Sequence, residues 1–239
     1  MLHEYQFRKT NSKVFFNIGK ATRFATIKDR YSFRLGTALP NPDLLPEDAI
    51  NIELGVEGKA KHHFGYKASI FNAEISNTIQ QVDRVFFDTA TKSWLAQQQN
   101  TGKSRFYGAE LQLSKYFSKN IHFGLNYSYI ERTNLSNPAI LFTHVPKHNI
   151  FIFGNYTYKK DYWINLNARY NSERISQSYG VTADAFAILN TKLHAKVFKA
   201  FALEMGINNI TDRNYAYTEG FPEPGRNYSV SLVWNASLN

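Results

Sequence analysis

Two-residue alternation sustained over stretches of about a dozen residues is the feature that most limits what this chain can fold into. From Ile121 the odd positions Ile121, Phe123, Leu125, Tyr127 and Tyr129 are apolar or aromatic, while His122, Gly124, Asn126 and Ser128 fall between them. From Tyr162, Ile164, Leu166, Ala168 and Tyr170 oppose Asn165, Asn167, Arg169 and Asn171; from Ile50, Ile52, Leu54 and Val56 oppose Asn51, Glu53, Gly55 and Glu57. Successive side chains of a β-strand point to opposite faces, so each stretch makes a strand with one apolar and one polar face. Read this way the sequence holds about ten strands, at roughly 13–20, 49–60, 64–77, 103–117, 121–133, 147–159, 162–175, 184–197, 201–210 and 226–235.

The connections alternate in length. Those at Lys61 to His63, Ser118 to Asn120, Lys160 to Asp161 and Phe198 to Ala200 are tight, whereas those at about 21–48, 78–102, 134–146, 176–183 and 211–225 are long. Short turns at one end and long loops at the other are the pattern of an antiparallel transmembrane barrel. No run of about 18 apolar residues occurs, which excludes a helical membrane span but not one built from strands of about 9–11 residues. The mean hydropathy of −0.42 is therefore no objection to a membrane protein. Aromatics make up 15% of the chain, and pairs such as Tyr127 and Tyr129, Tyr156 and Tyr158, or Tyr162 and Trp163 are expected in interfacial girdles.

The expected fold class is all-β: an antiparallel transmembrane β-barrel meander of about ten strands, forming a partial barrel. Leu54, Leu111, Leu125, Leu166, Leu203 and Leu232 are expected to face outward, and Asn51, Glu110, Asn126, Asn167, Glu204 and Ser231 inward. No helix longer than a turn or two is expected, near Thr26 to Tyr31 if anywhere, and Pro40, Pro42 and Pro46 stiffen the loop that follows. Gly108 leaves room on a crowded face. Glu53, Glu57 and Glu110, with Arg105, Arg169 and Lys192, are expected to form ion pairs across a polar interior.

Other chemistry is poorly supported. The chain has no Cys and hence no disulfide or thiolate metal site. The net charge of +9 comes from Lys and Arg scattered among strands, which argues against nucleic acid as a partner. Gly102-Lys103-Ser104 ends like a phosphate-binding loop, but Gln97 stands where that loop needs its first glycine. His144 and His148 have helical ligand spacing, yet Pro146 lies between them and removes the helix; His62 and His63 read as solvated turn residues. Asn-x-Ser/Thr triplets at Asn126, Asn155 and Asn227 are what a polar strand face produces. No catalytic motif appears, so no enzyme and no cofactor is expected.

Four segments carry a resemblance. Asn208-Asn209-Ile210-Thr211-Asp212-Arg213-Asn214-Tyr215 with Gly220-Phe221-Pro222-Glu223-Pro224-Gly225-Arg226, then the alternating Tyr228, Val230, Leu232 and Trp234, resemble the C-terminal signature of TonB-dependent receptors. Asn41-Pro42-Asp43-Leu44-Leu45-Pro46-Glu47, Arg105-Phe106-Tyr107-Gly108-Ala109-Glu110-Leu111 and Val145-Pro146-Lys147-His148 resemble further elements of that family, in the family's order. The tail Asn235-Ala236-Ser237-Leu238-Asn239 departs from the terminal aromatic the resemblance implies.

The resemblance implies a bacterial outer-membrane location and uptake of a scarce ligand, a ferric siderophore foremost or a vitamin-type molecule. It implies TonB as a partner only through a plug domain that the 239 residues do not contain. Plugged transporters have about 22 strands, and the first residues carry no signal peptide, so residues 1–239 are expected to be the C-terminal part of a barrel. Candidate ligand contacts are Arg30, Tyr31, Arg34, Arg84, Trp94, Arg132 and Tyr217, because anionic iron chelates favour guanidinium and aromatic partners. The same arginines could instead meet lipopolysaccharide phosphates in the outer-membrane lipid. Two further readings stay open: an autonomous small barrel acting as a passive pore, and a soluble β-sandwich binding module.

Overall fold

The computed structural model describes residues 1–7, 11–60, 63–218 and 220–234. Residues 61–62, within the tight turn expected at Lys61 to His63, lie outside the described residues, as do His62 and the tail Asn235 to Asn239.

Eleven strands form one sheet. They are β1 (Leu2–Phe7), β2 (Ser12–Arg23), β3 (Glu47–Ala60), β4 (Phe64–Ser76), β5 (Ser104–Tyr116), β6 (Ile121–Asn134), β7 (His148–Tyr158), β8 (Tyr162–Asn171), β9 (Phe186–Phe198), β10 (Phe201–Asn208) and β11 (Asn227–Trp234). Each pairs antiparallel with its neighbours in sequence, so the sheet is a pure meander. The expected count of about ten misses β1. The strand expected over 162–175 stops at Asn171, and Arg174–Ile175 belongs to a separate two-stranded ribbon with Thr182–Ala183. The 78–102 connection is itself a hairpin, Ile79–Asp88 against Ser93–Asn100. The short helix α1 (Ile27–Tyr31) is present, capped by Thr26 and Asp29, which bond each other's backbone N–H groups.

Cross-strand partners share a face, and the register fixes every assignment. Phe16, Leu54, Ile70 and Ala109 are successive partners, as are Leu113, Leu125, Ile152, Ala168 and Leu189. Leu203 lies opposite Leu232. All six expected outward leucines fall on this face, and their six polar counterparts fall on the other. The apolar face is exposed along its length, from Phe16 and Ile18 to Val230 and Trp234. One sheet with an uncovered apolar face is not a β-sandwich, so that alternative is corrected.

Two side chains depart from expectation. Arg105 sits on the apolar face near the long-loop end, paired with Glu74 at 2.7 Å. Trp163 lies on the polar face, stacked on His194 with ring centres 5.1 Å apart.

The polar face is ordered by two devices. Asparagine amides form a chain of hydrogen bonds over three strands: Asn190 donates across to Asn167 (2.9 Å), Asn167 along its own strand to Asn165 (2.8 Å), and Asn165 across to Asn155 (2.7 Å). Phenylalanine rings lie over glycines on the neighbouring strand, with Phe15 opposite Gly55, Phe71 opposite Gly108 and Phe153 opposite Gly124. A Cβ on Gly108 would come within 2.0 Å of the Tyr129 carbonyl oxygen and 2.7 Å of the Phe71 ring. Ion pairs join Lys192 to Glu204 (2.5 Å) and Lys13 to Glu57 (3.2 Å).

The sheet does not close. β1 and β11 are its two ends and do not pair with each other among the described residues, so the small self-closed pore is corrected too.

The glycine geometry gives a sharp contrast. Gly108→Ala should destabilise the barrel by about 1–3 kcal/mol through overpacking. Gly154→Ala should be close to neutral, because nothing lies within 4 Å of its added methyl. Urea-dependent folding into vesicles measures both, and equal effects would contradict the register.

Candidate functional site

At the long-connection end the loops fold into a cap with its own core. The buried side chains of Ala38, Leu44, Ile79, Val82, Leu95 and Ile140 all belong to connections. A sheet that keeps its apolar face outward has little interior to fill, so the apolar burial gathers where the loops pack on one another.

Polar contacts of long sequence separation hold the cap. The Asn100 side chain accepts from Leu45 N–H at 2.8 Å and donates to Leu45 C=O at 3.0 Å, tying the proline-rich loop to the hairpin. Gln80 donates to the Leu141 carbonyl at 2.7 Å. Asp83 accepts from both the N–H (2.7 Å) and hydroxyl (3.0 Å) of Ser178, whose Oγ accepts from Asp83 N–H at 2.9 Å. Leu141 N–H donates to Ser178 C=O at 2.8 Å. Ser178 is 0% exposed, so one serine joins three loops, two of them anchored 95 residues apart.

The expected ligand residues divide. Arg30 serves the cap by donating to the Leu44 carbonyl at 2.8 Å, and Arg34 by donating to Gln81. Arg84 sits at left-handed φ 55°, in the bulge between Val82 and Phe86. Tyr31 and Trp94 are exposed, the latter edge-on to Phe87 at 5.3 Å. Tyr217 packs against Phe186 and Tyr215 at 5.4 and 5.7 Å. These side chains do not converge on one cavity.

Arg132 is different. It lies in the last residues of β6 on the polar face, its guanidinium 5.8 Å from the Phe106 ring centre and 5.2 Å from that of Phe142, and it donates to the Thr143 carbonyl at 2.9 Å. No carboxylate pairs with it among the described residues. It lines a cavity of about 410 Å³ together with Phe142, Lys147, His148, Glu173 and Arg174. Sequence reading missed Arg174, a buried arginine whose donors cap the Tyr217 and Asp184 carbonyls at 3.0 and 3.4 Å. Nothing in the local pattern marked it, since its partners are about 10 and 43 residues away.

Asp29 and His144, both in the cap, are shifted from their ordinary values. Burial pushes Asp29 upward, but bonds from Thr26 and the charge of Arg23 outweigh it and hold the carboxyl below 3.8. His144 falls below 6.5, first through burial and then through Arg174, Arg34 and Arg132, with Asp83 opposing. No group of three or more His, Cys, Asp or Glu is placed to hold an ion among the described residues.

An open antiparallel meander with an apolar outer face, a polar inner face and a packed loop cap at one end is the wall of a receptor-type outer-membrane barrel. The family model for the TonB dependent receptor-like β-barrel matches residues 4–210, and the chain belongs to that family.

Among curated proteins it is 24% identical over 214 residues to the iron-regulated outer membrane virulence protein of Vibrio cholerae, covering 82% of this chain and 32% of the relative. It is also 24% identical over 229 residues to the metal-pseudopaline receptor CntO of Pseudomonas aeruginosa, covering 89% and 31%. The chain thus spans about a third of the length of these relatives.

Two solved structures share the fold. One is the copper transporter OprC (TM-score 0.79, 18% identity, 98% of this chain and 38% of that one). The other is the Pseudomonas aeruginosa ferric enterobactin receptor PfeA in complex with enterobactin (0.75, 15%, 98% and 40%). The family is one of receptors and transporters of the bacterial outer membrane.

The His144 environment sets a pH dependence. A depressed pKa means the unfolded loop binds the proton first, so its contribution is complete above 6.5 and is lost as pH falls through the lower folded value. Hydrogen exchange at Leu141 and His144 N–H should therefore quicken, beyond the intrinsic pH effect, as pH drops below 6.5. His144→Gln should abolish that extra quickening; its persistence would place the titration elsewhere.

Proposed function

We infer that residues 1–239 are the C-terminal part of the barrel of a TonB-dependent receptor and supply its wall and part of its ligand vestibule. The imported ligand is a scarce metal chelate, a ferric siderophore foremost. Arg132 carries this reading. A guanidinium without a carboxylate partner, set between two aromatic rings at a cavity, suits an anionic chelate with aromatic or catechol-like groups.

The names of the relatives agree in class, since each of the four refers to iron, copper or a metal complex. Vitamin-type ligands are the less favoured case. Energised uptake would come through TonB acting on a plug domain outside these residues, and exposed loop arginines such as Arg84 would face lipopolysaccharide.

In an iron-starved strain whose other receptors are deleted, Arg132→Ala in the intact receptor should reduce uptake of radiolabelled ferric siderophore about tenfold or more, equivalent to about 1.4 kcal/mol. Arg132→Lys should restore only part, because an ammonium lacks the planar stacking surface. Unchanged uptake in both variants, with normal receptor abundance, would contradict the assignment.

A further inference from the structure

The tight-turn end carries a charge pattern that ligand uptake does not use. The turn between β5 and β6 carries Lys119, that between β7 and β8 carries Lys159 and Lys160, and that between β9 and β10 carries Lys199; Lys115 stands just before the first, on the apolar face. None of these five makes an ion pair within the described residues. The acid at this rim, Asp161, is held by Lys196 at 3.5 Å. Carboxylates gather instead in or beside the long connections, at Glu47, Asp48, Asp83, Asp184 and Asp212. The excess positive charge is therefore concentrated on one rim.

A band of exposed rings borders that rim on the apolar face. Tyr158 pairs with Tyr162 and Phe201 with Trp234, while Phe117 lies in the turn itself. Lys115 Nζ lies 5.0 Å from the Phe117 ring centre, and Lys159 Nζ 5.1 Å from that of Tyr158. Aromatic rings in a membrane protein settle at headgroup depth, and lysine stems lie along such rings while the ammonium reaches for polar partners. The unpaired ammonium groups thus stand at the depth of lipid phosphates. A zwitterionic headgroup neutralises its own phosphate; an anionic one does not.

We propose that this lysine rim binds the headgroups of anionic phospholipids in the periplasmic leaflet, to which the short turns of such barrels point. The binding anchors the wall at a fixed depth, independently of the ligand carried through the vestibule.

The test uses the intact receptor in nanodiscs of mixed phosphatidylethanolamine and phosphatidylglycerol, with quantification of the lipid retained around the barrel. Wild type should enrich phosphatidylglycerol over the bulk mixture. The combined variant Lys119→Gln, Lys159→Gln, Lys160→Gln and Lys199→Gln should lose that enrichment, by about fivefold for each lysine at the surface. The matching four-arginine variant should keep it, and raised salt should weaken it. Heat-modifiable gel mobility confirms that each variant is folded, and the arginine variant isolates charge from turn geometry. Equal enrichment in wild type and the glutamine variant would overturn the proposal. So would equally tight binding of a soluble polyglutamate by wild type in zwitterionic detergent, which would assign the rim to an acidic polypeptide.

Discussion

A backbone amide left without a partner in hydrocarbon costs several kcal/mol, and the architecture follows from avoiding that cost. Long antiparallel neighbours satisfy one another from β2 to β10, and the side chains then have only two places to go. Alternation places the leucines and a band of aromatic rings on one face, and asparagine, glutamate and lysine with the glycine-paired phenylalanines on the other. The interior surface is therefore polar and needs its own order, which the Asn155–Asn165–Asn167–Asn190 chain and the Phe–Gly pairs provide. Each Phe–Gly pair lets a ring lie flat against the wall where a second side chain would clash.

The loop cap solves the opposite problem. Its connections are too long to be simple turns, and they pack as a small soluble fold would, with Leu44 only 2% exposed. Its polar contacts run between loops: Asn100 with Leu45, Gln80 with Leu141, Asp83 with Ser178. This rigidity holds Arg132 between Phe106 and Phe142 and keeps the cavity beside it open. On the proposed reading, fixed loops present this cation in one orientation, which reduces the ordering cost of capturing a ligand.

Much of the wall was legible in the sequence because a strand's face depends on neighbours two residues away. Leu125 and Asn126 could be assigned from their own segment, and Gly108 read as a place of close approach. β1 escaped because Leu2–Phe7 is too short for alternation to stand out, and the Ile79–Asn100 hairpin because Gln80, Gln81 and Gln97 to Gln99 break any apolar rhythm. Arg105 and Trp163 were misplaced by reading strand ends loosely, where one residue reverses the face. The site was the least legible part. Arg132 was among the candidates, but its isolation from carboxylates, the capping role of Arg174 and the Asp83–Ser178 clasp are products of tertiary structure.

Residues 1–239 have no cysteine, so a single-cysteine spin-label scan of β6 from Ile121 to Asn134 meets no competing thiol within them. In the intact receptor in vesicles, collisions with oxygen should peak at positions 121, 123, 125, 127 and 129. Collisions with a water-soluble nickel chelate should rise at the intervening positions, in opposite phase, wherever the lumen admits it. Low access to both reagents at Leu125, as in a dry core between two sheets, would contradict the account.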